Sequence, residues 1–211
     1  MNGVRNWLPG SILLTGVFYI VFAPSDPLWL SLVFKALPMV LIIAYAALLL
    51  PPQRRRVHTF VLVGLGFCVV GDVTLHWFLI GLTAFLIGHV CYLAGFLTRV
   101  QVTRARVASV VPLALFGVVI GVPLLSAIQS AGDTELLLPV ALYIVVILSM
   151  AWAAILTGNR WAIAGSLLFV TSDAILSWNM FVQELSFSGP AIMITYYSAQ
   201  FLIARSVAEF R

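Results

Sequence analysis

The sequence predicts an all-α, polytopic membrane protein: eight transmembrane helices built as two parallel four-helix repeats. Three observations predict it. Of 211 residues, 63% are hydrophobic and 9% charged, with a mean hydropathy of +1.13, whereas a soluble domain carries about 25% charged residues. The apolar residues fall into eight runs closed by charges, proline or glycine. The basic residues gather in alternate gaps between those runs. At roughly 20 residues per crossing, about 160 residues of helix leave only some 50 for loops and ends, too few for a separate extramembrane domain. A chain so poor in charge is also not a disordered one.

Taken in order, the first helix is expected over 7–23, past Arg5. Its apolar stretch Leu8 to Phe22 has the length of a signal-peptide core, but seven further runs make it an uncleaved first span. The second runs over 28–50 and stops at Pro51-Pro52 before Arg54, Arg55 and Arg56. The third and fourth cover 57–77 and 79–98, ending at Arg99. The fifth, 107–127, follows Arg104 and Arg106; the sixth, 136–157, follows Glu135. The seventh, 161–182, begins after Arg160, and the eighth spans 190–206 with Arg205 near its end and Arg211 beyond.

Eight crossings put both termini on one side, and every arginine loop falls on that side too. The opposite side receives Asp26, Asp133, Glu135 and Glu184 and no basic residue. By the positive-inside rule the termini are cytoplasmic. The net charge of +4 is therefore a topology signal and not a nucleic-acid face. Short tails suit a bacterial plasma membrane, or the endoplasmic reticulum in a eukaryote. Trp7, Trp29 and Trp77 fall at expected interfaces, as aromatic-belt anchors do. His58, beside the arginine cluster, is expected to be a solvated interface residue. Cys68 and Cys91 sit in apolar runs without metal or disulfide spacing.

The chain also matches itself. A shift of 101 residues lays Leu37-Pro38, Gly64, Val69, Asp72, Leu75 and Trp77 on Leu138-Pro139, Gly165, Val170, Asp173, Leu176 and Trp178. With four more residues between the last two spans, Tyr92, Ala94 and Phe96-Leu97 meet Tyr197, Ala199 and Phe201-Leu202. One register over several spans points to tandem duplication. The expected division is 1–102 (helices one to four) and 103–211 (helices five to eight), one transmembrane domain in all. An even number of spans per unit makes the repeats parallel, about an axis along the membrane normal. Gly81, Gly88 and Gly95 form a small-residue stripe suited to close helix contact.

Ionisable groups at membrane depth are costly unless paired or placed in a wet cavity. Counted at about 1.5 Å per residue from the non-cytoplasmic end, Lys35, Asp72, His89 and Asp173 lie roughly 11, 8, 15 and 14 Å deep. Tyr92, Tyr196, Tyr197 and Gln200 share or closely underlie that layer. Asp72 and Asp173 are the expected catalytic pair. Two neighbouring carboxylates in low dielectric do not both ionise cheaply, which yields a general acid beside a base or charge stabiliser. The alternative for each is a helix-bridging hydrogen bond. Lys35 serves as a counter-ion or a headgroup contact; His89 is a core histidine or a pocket residue. Asp72 and His76 have metal-ligand spacing, but no third spaced histidine, HExxH, Gly-x-Ser-x-Gly, P-loop or dinucleotide fingerprint accompanies them. No metal and no cofactor is expected.

Lys35-x-x-Pro38, Gly71-Asp72-x-x-Leu75 and Ala84-Phe85-x-x-Gly88-His89-x-x-Tyr92 resemble motifs of the YhhN-like lysoplasmalogenase family. So do Leu168-Phe169-x-x-Ser172-Asp173-x-x-Leu176 with Asn179 and Phe181, and Tyr196-Tyr197-x-Ala199-Gln200. Gly71 precedes the first aspartate where Ser172 precedes the second, and His76 follows only the first, so the two are not equivalent. The resemblance implies hydrolysis of the vinyl-ether bond of lysoplasmalogens, releasing a fatty aldehyde and glycerophosphocholine or glycerophosphoethanolamine. It implies a lysophospholipid substrate, bilayer lipids as surroundings, and a substrate pocket of Lys35, His76, His89, Tyr92, Asn179, Tyr196, Tyr197 and Gln200 around the two aspartates. Vinyl ethers are acid-labile, so paired carboxylates suit them. Two other readings remain at this point: a proton-coupled transporter of a small molecule or lipid, and a zinc-dependent membrane lipid hydrolase using Asp72, His76 and His89.

Overall fold

The computed structural model describes residues 2–24 and 26–210, so Arg211 of the basic set lies outside the described residues. Among the described residues the fold is all-helical and contains no strand. Four long helices come first: α1 (Asn2–Phe22), α2 (Leu28–Leu48), α3 (Arg56–Thr74) and α4 (Phe78–Leu97). A five-residue helix, α5 (Arg104–Ala108), leads into α6 (Val110–Ala131). Then follow α7 (Leu137–Thr157), α8 (Arg160–Phe181) and α9 (Ser188–Ser206). The eight long helices occupy the eight expected stretches.

The differences are at helix ends and have local causes. The fifth stretch is two helices, broken at Ser109. Pro112 has no N–H to return to the carbonyl of Ala108, while the Ser109 hydroxyl donates to Arg106 O at 2.6 Å. α3 ends three residues earlier than expected, in a turn where Trp77 N–H donates to Thr74 O at 2.8 Å. α6 and α7 stop at Gly132 (φ 88°) and Gly158 (φ 71°), left-handed positions that glycine fills without strain. Asn159 then caps α8, its side-chain oxygen accepting from Trp161 and Ala162 N–H.

Among the described residues, six segments are long and apolar enough to cross a membrane: Leu28–Leu48, Arg56–Thr74, Phe78–Leu97, Arg104–Ala131, Thr134–Thr157 and Arg160–Phe181. In α1 a shorter apolar stretch, Trp7–Phe22, qualifies by composition only. The outer faces carry bare apolar side chains, among them Leu13, Val111 and Leu138 at 67%, 66% and 77% exposure. A surface of that kind needs lipid around it, and the chain is an integral membrane protein. Trp7, Trp29 and Trp77 are likewise exposed.

The tightest helix pairs are α3 with α4 and α8 with α9, while α4 also packs on α7 and α2 on α9. Glycine sets the closest approaches. A Cβ on Gly64 would stand 2.5 Å from the Tyr92 ring, and one on Gly165 2.8 Å from Ala199 O. Gly81, Gly88 and Gly95 all face α3, against Leu75, Cys68 and Phe60.

Hydrogen bonds gather the arginine-bearing ends. Gln101 N–H donates to Leu156 O at 2.8 Å, and Asn159 Nδ2 donates to Ser206 O at 3.3 Å. His58 belongs to this knot and is not solvated: it is 1% exposed, its Nδ1 accepts from Arg55 N–H at 2.8 Å, and its Nε2 pairs with Phe210 O at 3.0 Å. Its place in the first turn of α3 turns the ring inward beneath the C-terminal residues, where two backbone partners satisfy it.

Candidate active site

Between α1 to α4 and α6 to α9 lies a cavity of about 300 Å³. Its walls are mostly apolar, with Leu82, Phe85, Ile144, Leu148, Leu176 and Met180 among them. Both aspartates line it.

Asp72 is delivered two residues before the end of α3 and is buried. Tyr196 of α9 donates its phenol proton to Asp72 Oδ2 at 2.6 Å. Lys35 of α2 stands 3.7 Å from Oδ1 and donates to the Asp72 carbonyl at 3.2 Å. The Lys35 carbonyl in turn accepts from Tyr197 at 2.8 Å. Three helices are thus tied at one carboxylate, and the ammonium compensates its charge where water is scarce.

Asp173, on α8, is half-buried and has a different setting. Tyr143 of α7 donates to its Oδ2, and no ion pair joins it among the described residues. The two carboxylates therefore share a cavity but not an environment: one faces a cation and a phenol, the other a phenol.

Four of the expected residues, Lys35, Asp72, Asp173 and Tyr196, line the cavity together. Tyr197, Tyr92, Gln200 and His89 are buried behind its wall. Tyr92 donates to Gln200 Oε1 at 2.8 Å, joining α4 to α9, and the Cys68 thiol points at Tyr92 from 3.8 Å. His89 is fully buried between Phe169 (ring centroids 4.5 Å) and Tyr143 (5.2 Å). Neither of its ring nitrogens has a hydrogen-bond partner among the described residues. His76 and Asn179 stand apart from the cavity. Because α3 stops at Thr74, His76 is exposed and packs on Trp77 at 4.0 Å. Asn179 accepts from Leu185 N–H at 2.8 Å and shapes the loop after α8. Among the described residues no three His, Cys, Asp or Glu side chains converge as metal ligands would.

Sequence reasoning missed Tyr143 and Tyr19, which also lines the cavity. The depth count that found the others reaches Tyr143 as well: six residues into α7, it sits roughly 9 Å below the same end as the aspartates.

The family model described as the YhhN family matches residues 30–207. The chain belongs to the YhhN family. It is 32% identical to the mouse protein named lysoplasmalogenase TMEM86B in an alignment that covers 96% of this chain and 87% of the relative. Human lysoplasmalogenase TMEM86A is 32% identical in an alignment that covers 93% and 86% of the two chains. A Mycobacterium tuberculosis lysoplasmalogenase is 28% identical over 181 residues, 81% of this YhhN chain and 67% of that one. No solved structure matches. The resemblance carried by the aspartate, histidine and tyrosine motifs is thus a family membership.

Proposed function

We propose that this YhhN-family chain is a lysoplasmalogenase, hydrolysing the vinyl-ether bond of an alkenyl-glycerophosphocholine or alkenyl-glycerophosphoethanolamine. The observation that carries this reading is the pair of differently held carboxylates on one apolar cavity, whose volume of about 300 Å³ is that of a ligand site. The relatives that bear the name cover most of both chains.

Asp173 is the general acid. Among the described residues no ion pair joins it, unlike Asp72, so it is the carboxyl suited to carry the proton. It protonates the vinyl carbon remote from the ether oxygen, and positive charge develops on the carbon bonded to that oxygen. Asp72, held ionised by Lys35 and Tyr196, stabilises that charge by preorganised electrostatics. Water adds to the cation and its released proton returns to Asp173. The resulting hemiacetal breaks: its hydroxyl proton is lost, the glycerol oxygen gains one, and fatty aldehyde leaves. The logic parallels glycoside hydrolysis, where paired carboxylates serve an oxocarbenium-like transition state. Tyr143 orients Asp173. Tyr197, Tyr92 and Gln200 hold α9 and the cavity wall in place.

The reading includes eight crossings, with α1 and α9 completing the six strongly apolar spans, and both termini cytoplasmic. It includes a doubled four-helix architecture, 1–102 and 103–211. Matching helix pairs support the duplication: α3–α4 answers α8–α9, and α4–α7 answers α9–α2. The membrane is a bacterial plasma membrane, or the endoplasmic reticulum in a eukaryote.

The test uses purified protein and alkenyl-lysophosphatidylethanolamine. Wild type is expected to release aldehyde, and Asp72→Asn and Asp173→Asn each to lose at least about a hundredfold, the scale of a general acid or base, while eluting as folded protein. Transport of intact lysolipid without aldehyde overturns the enzyme reading. Normal turnover by either mutant overturns the assigned pair. Turnover is also expected to survive prolonged chelation, because among the described residues no three ligating side chains converge.

A further inference from the structure

We infer that the cavity takes its lysolipid from the leaflet opposite the arginine loops and returns its water-soluble product to that side. The inference rests on the lysoplasmalogenase reading and on the cytoplasmic placement of the termini. Its observation is where the lining residues fall along their helices. α2, α4, α7 and α9 begin at the arginine-free end, and they contribute Lys35, Phe85, Tyr143 and Tyr196 from their first halves. α3 and α8 run the other way and contribute Asp72 and Asp173 from their second halves. The deepest lining residues are Leu148 and Val170, near mid-helix, and Phe116, six residues into α6. The cavity therefore occupies one half of the bundle.

Toward the arginine end the bundle is closed by side chains. Phe169, fully buried, meets Tyr196 at 5.4 Å and Phe85 at 6.4 Å. His89 fills the space between Phe169 and Tyr143, and the Tyr92–Gln200 hydrogen bond crosses beside it. Phe96 continues the column from Tyr92 to Phe210, at 6.3 and 6.2 Å. Such a close-packed, largely aromatic plug offers no path to a phosphate headgroup, whose burial without partners is prohibitive.

Charge points the same way. Lys35 is the single lysine of the sequence, and none of the described arginine side chains lines the cavity. It is the cation that a phosphate entering from the arginine-free side meets first. Glycerophosphoethanolamine or glycerophosphocholine then leaves on that side, and the aldehyde stays in lipid. The reaction that supplies the substrate must be hydrolysis of the acyl ester of a vinyl-ether phospholipid in the same leaflet, which leaves the single-chain alkenyl lipid.

The experiment places the full-length protein carrying Gln53→Cys, in the arginine loop, in sealed vesicles of either orientation. A membrane-impermeant maleimide reports which face is outward. Alkenyl-lysophosphatidylethanolamine is added outside and aldehyde is followed over the first seconds. Vesicles with the loop facing the lumen are expected to react at least tenfold faster than those with it facing out, and detergent is expected to equalise them. Equal or reversed initial rates overturn the inference. Absence of aldehyde in both, before and after detergent, overturns the lysoplasmalogenase reading on which it stands.

Discussion

Lys35 touches Asp72 twice, through the carboxylate at 3.7 Å and the backbone carbonyl at 3.2 Å, so removing it strips a buried carboxylate of its counter-charge. Uncompensated charge at such a site is costly, and the group takes up a proton instead. Lys35→Met is therefore expected to lower kcat/KM by about a hundredfold with most of the loss in kcat, and Lys35→Arg to restore part of it. Tyr143→Phe removes one hydrogen bond to Asp173 and leaves the ring packed on His89. About a tenfold drop in kcat with little change in KM is expected. If instead KM rises alone, Tyr143 contacts the lipid and does not orient the acid. These two residues also mark what a sequence discloses. Lys35, Asp72 and Asp173 were legible because charge at membrane depth is rare and demands a reason. Tyr143 was not, because a tyrosine in an apolar helix is ordinary until its partner is known. His76 lies outside the cavity lining for a backbone reason: the early end of α3 carries it away.

Helix contacts turn on where glycine stands. Gly64 and Gly66 lie two residues apart on α3, yet a Cβ at Gly64 would meet the Tyr92 ring at 2.5 Å while one at Gly66 meets nothing within 4 Å. Alanine in an open helical position gains about 0.5–1 kcal/mol over glycine, whereas overpacking costs about 1–3 kcal/mol. Gly66→Ala is thus expected to raise the thermal midpoint in detergent and Gly64→Ala to lower it. Because Tyr92 also anchors Gln200 of α9, the loss at Gly64 is expected to reduce turnover as well. Equal shifts in the same direction would mean that α3 and α4 do not rely on this close approach. The stripe Gly81, Gly88 and Gly95 was readable from its seven-residue spacing, and it does face α3. The break at Ser109 leaves no mark in hydropathy, and Pro112 is itself compatible with a helix start. The polarity of α9 has the same lesson. Tyr196, Tyr197 and Gln200 lower its hydropathy, yet each is bonded inside the bundle, to Asp72, to the Lys35 carbonyl and to Tyr92 of α4.

That polarity makes the number of crossings the decisive property of the whole chain. Six segments qualify as spans on hydropathy and length; eight are required if α1 and α9 also cross. The two counts differ in parity at each end and are separable by labelling. Cysteines at Asn2 and Asp26 bracket α1, and cysteines at Glu184 and Ala208 bracket α9. With eight crossings, Asn2→Cys and Ala208→Cys react from the side that labels Gln53→Cys, while Asp26→Cys and Glu184→Cys react from the other. If α1 does not cross, Asn2 and Asp26 label from one side, and the same holds for Glu184 and Ala208 if α9 does not. The packing favours eight. α9 lies against α8 and α2, and α1 against α2, so each end helix is held by helices long and apolar enough to span. A helix that stayed on the surface would also pull Tyr196 from Asp72 and Tyr197 from Lys35, bonds of 2.6 and 2.8 Å formed at membrane depth. Same-side labelling across α9 would accordingly dismantle the site along with the topology.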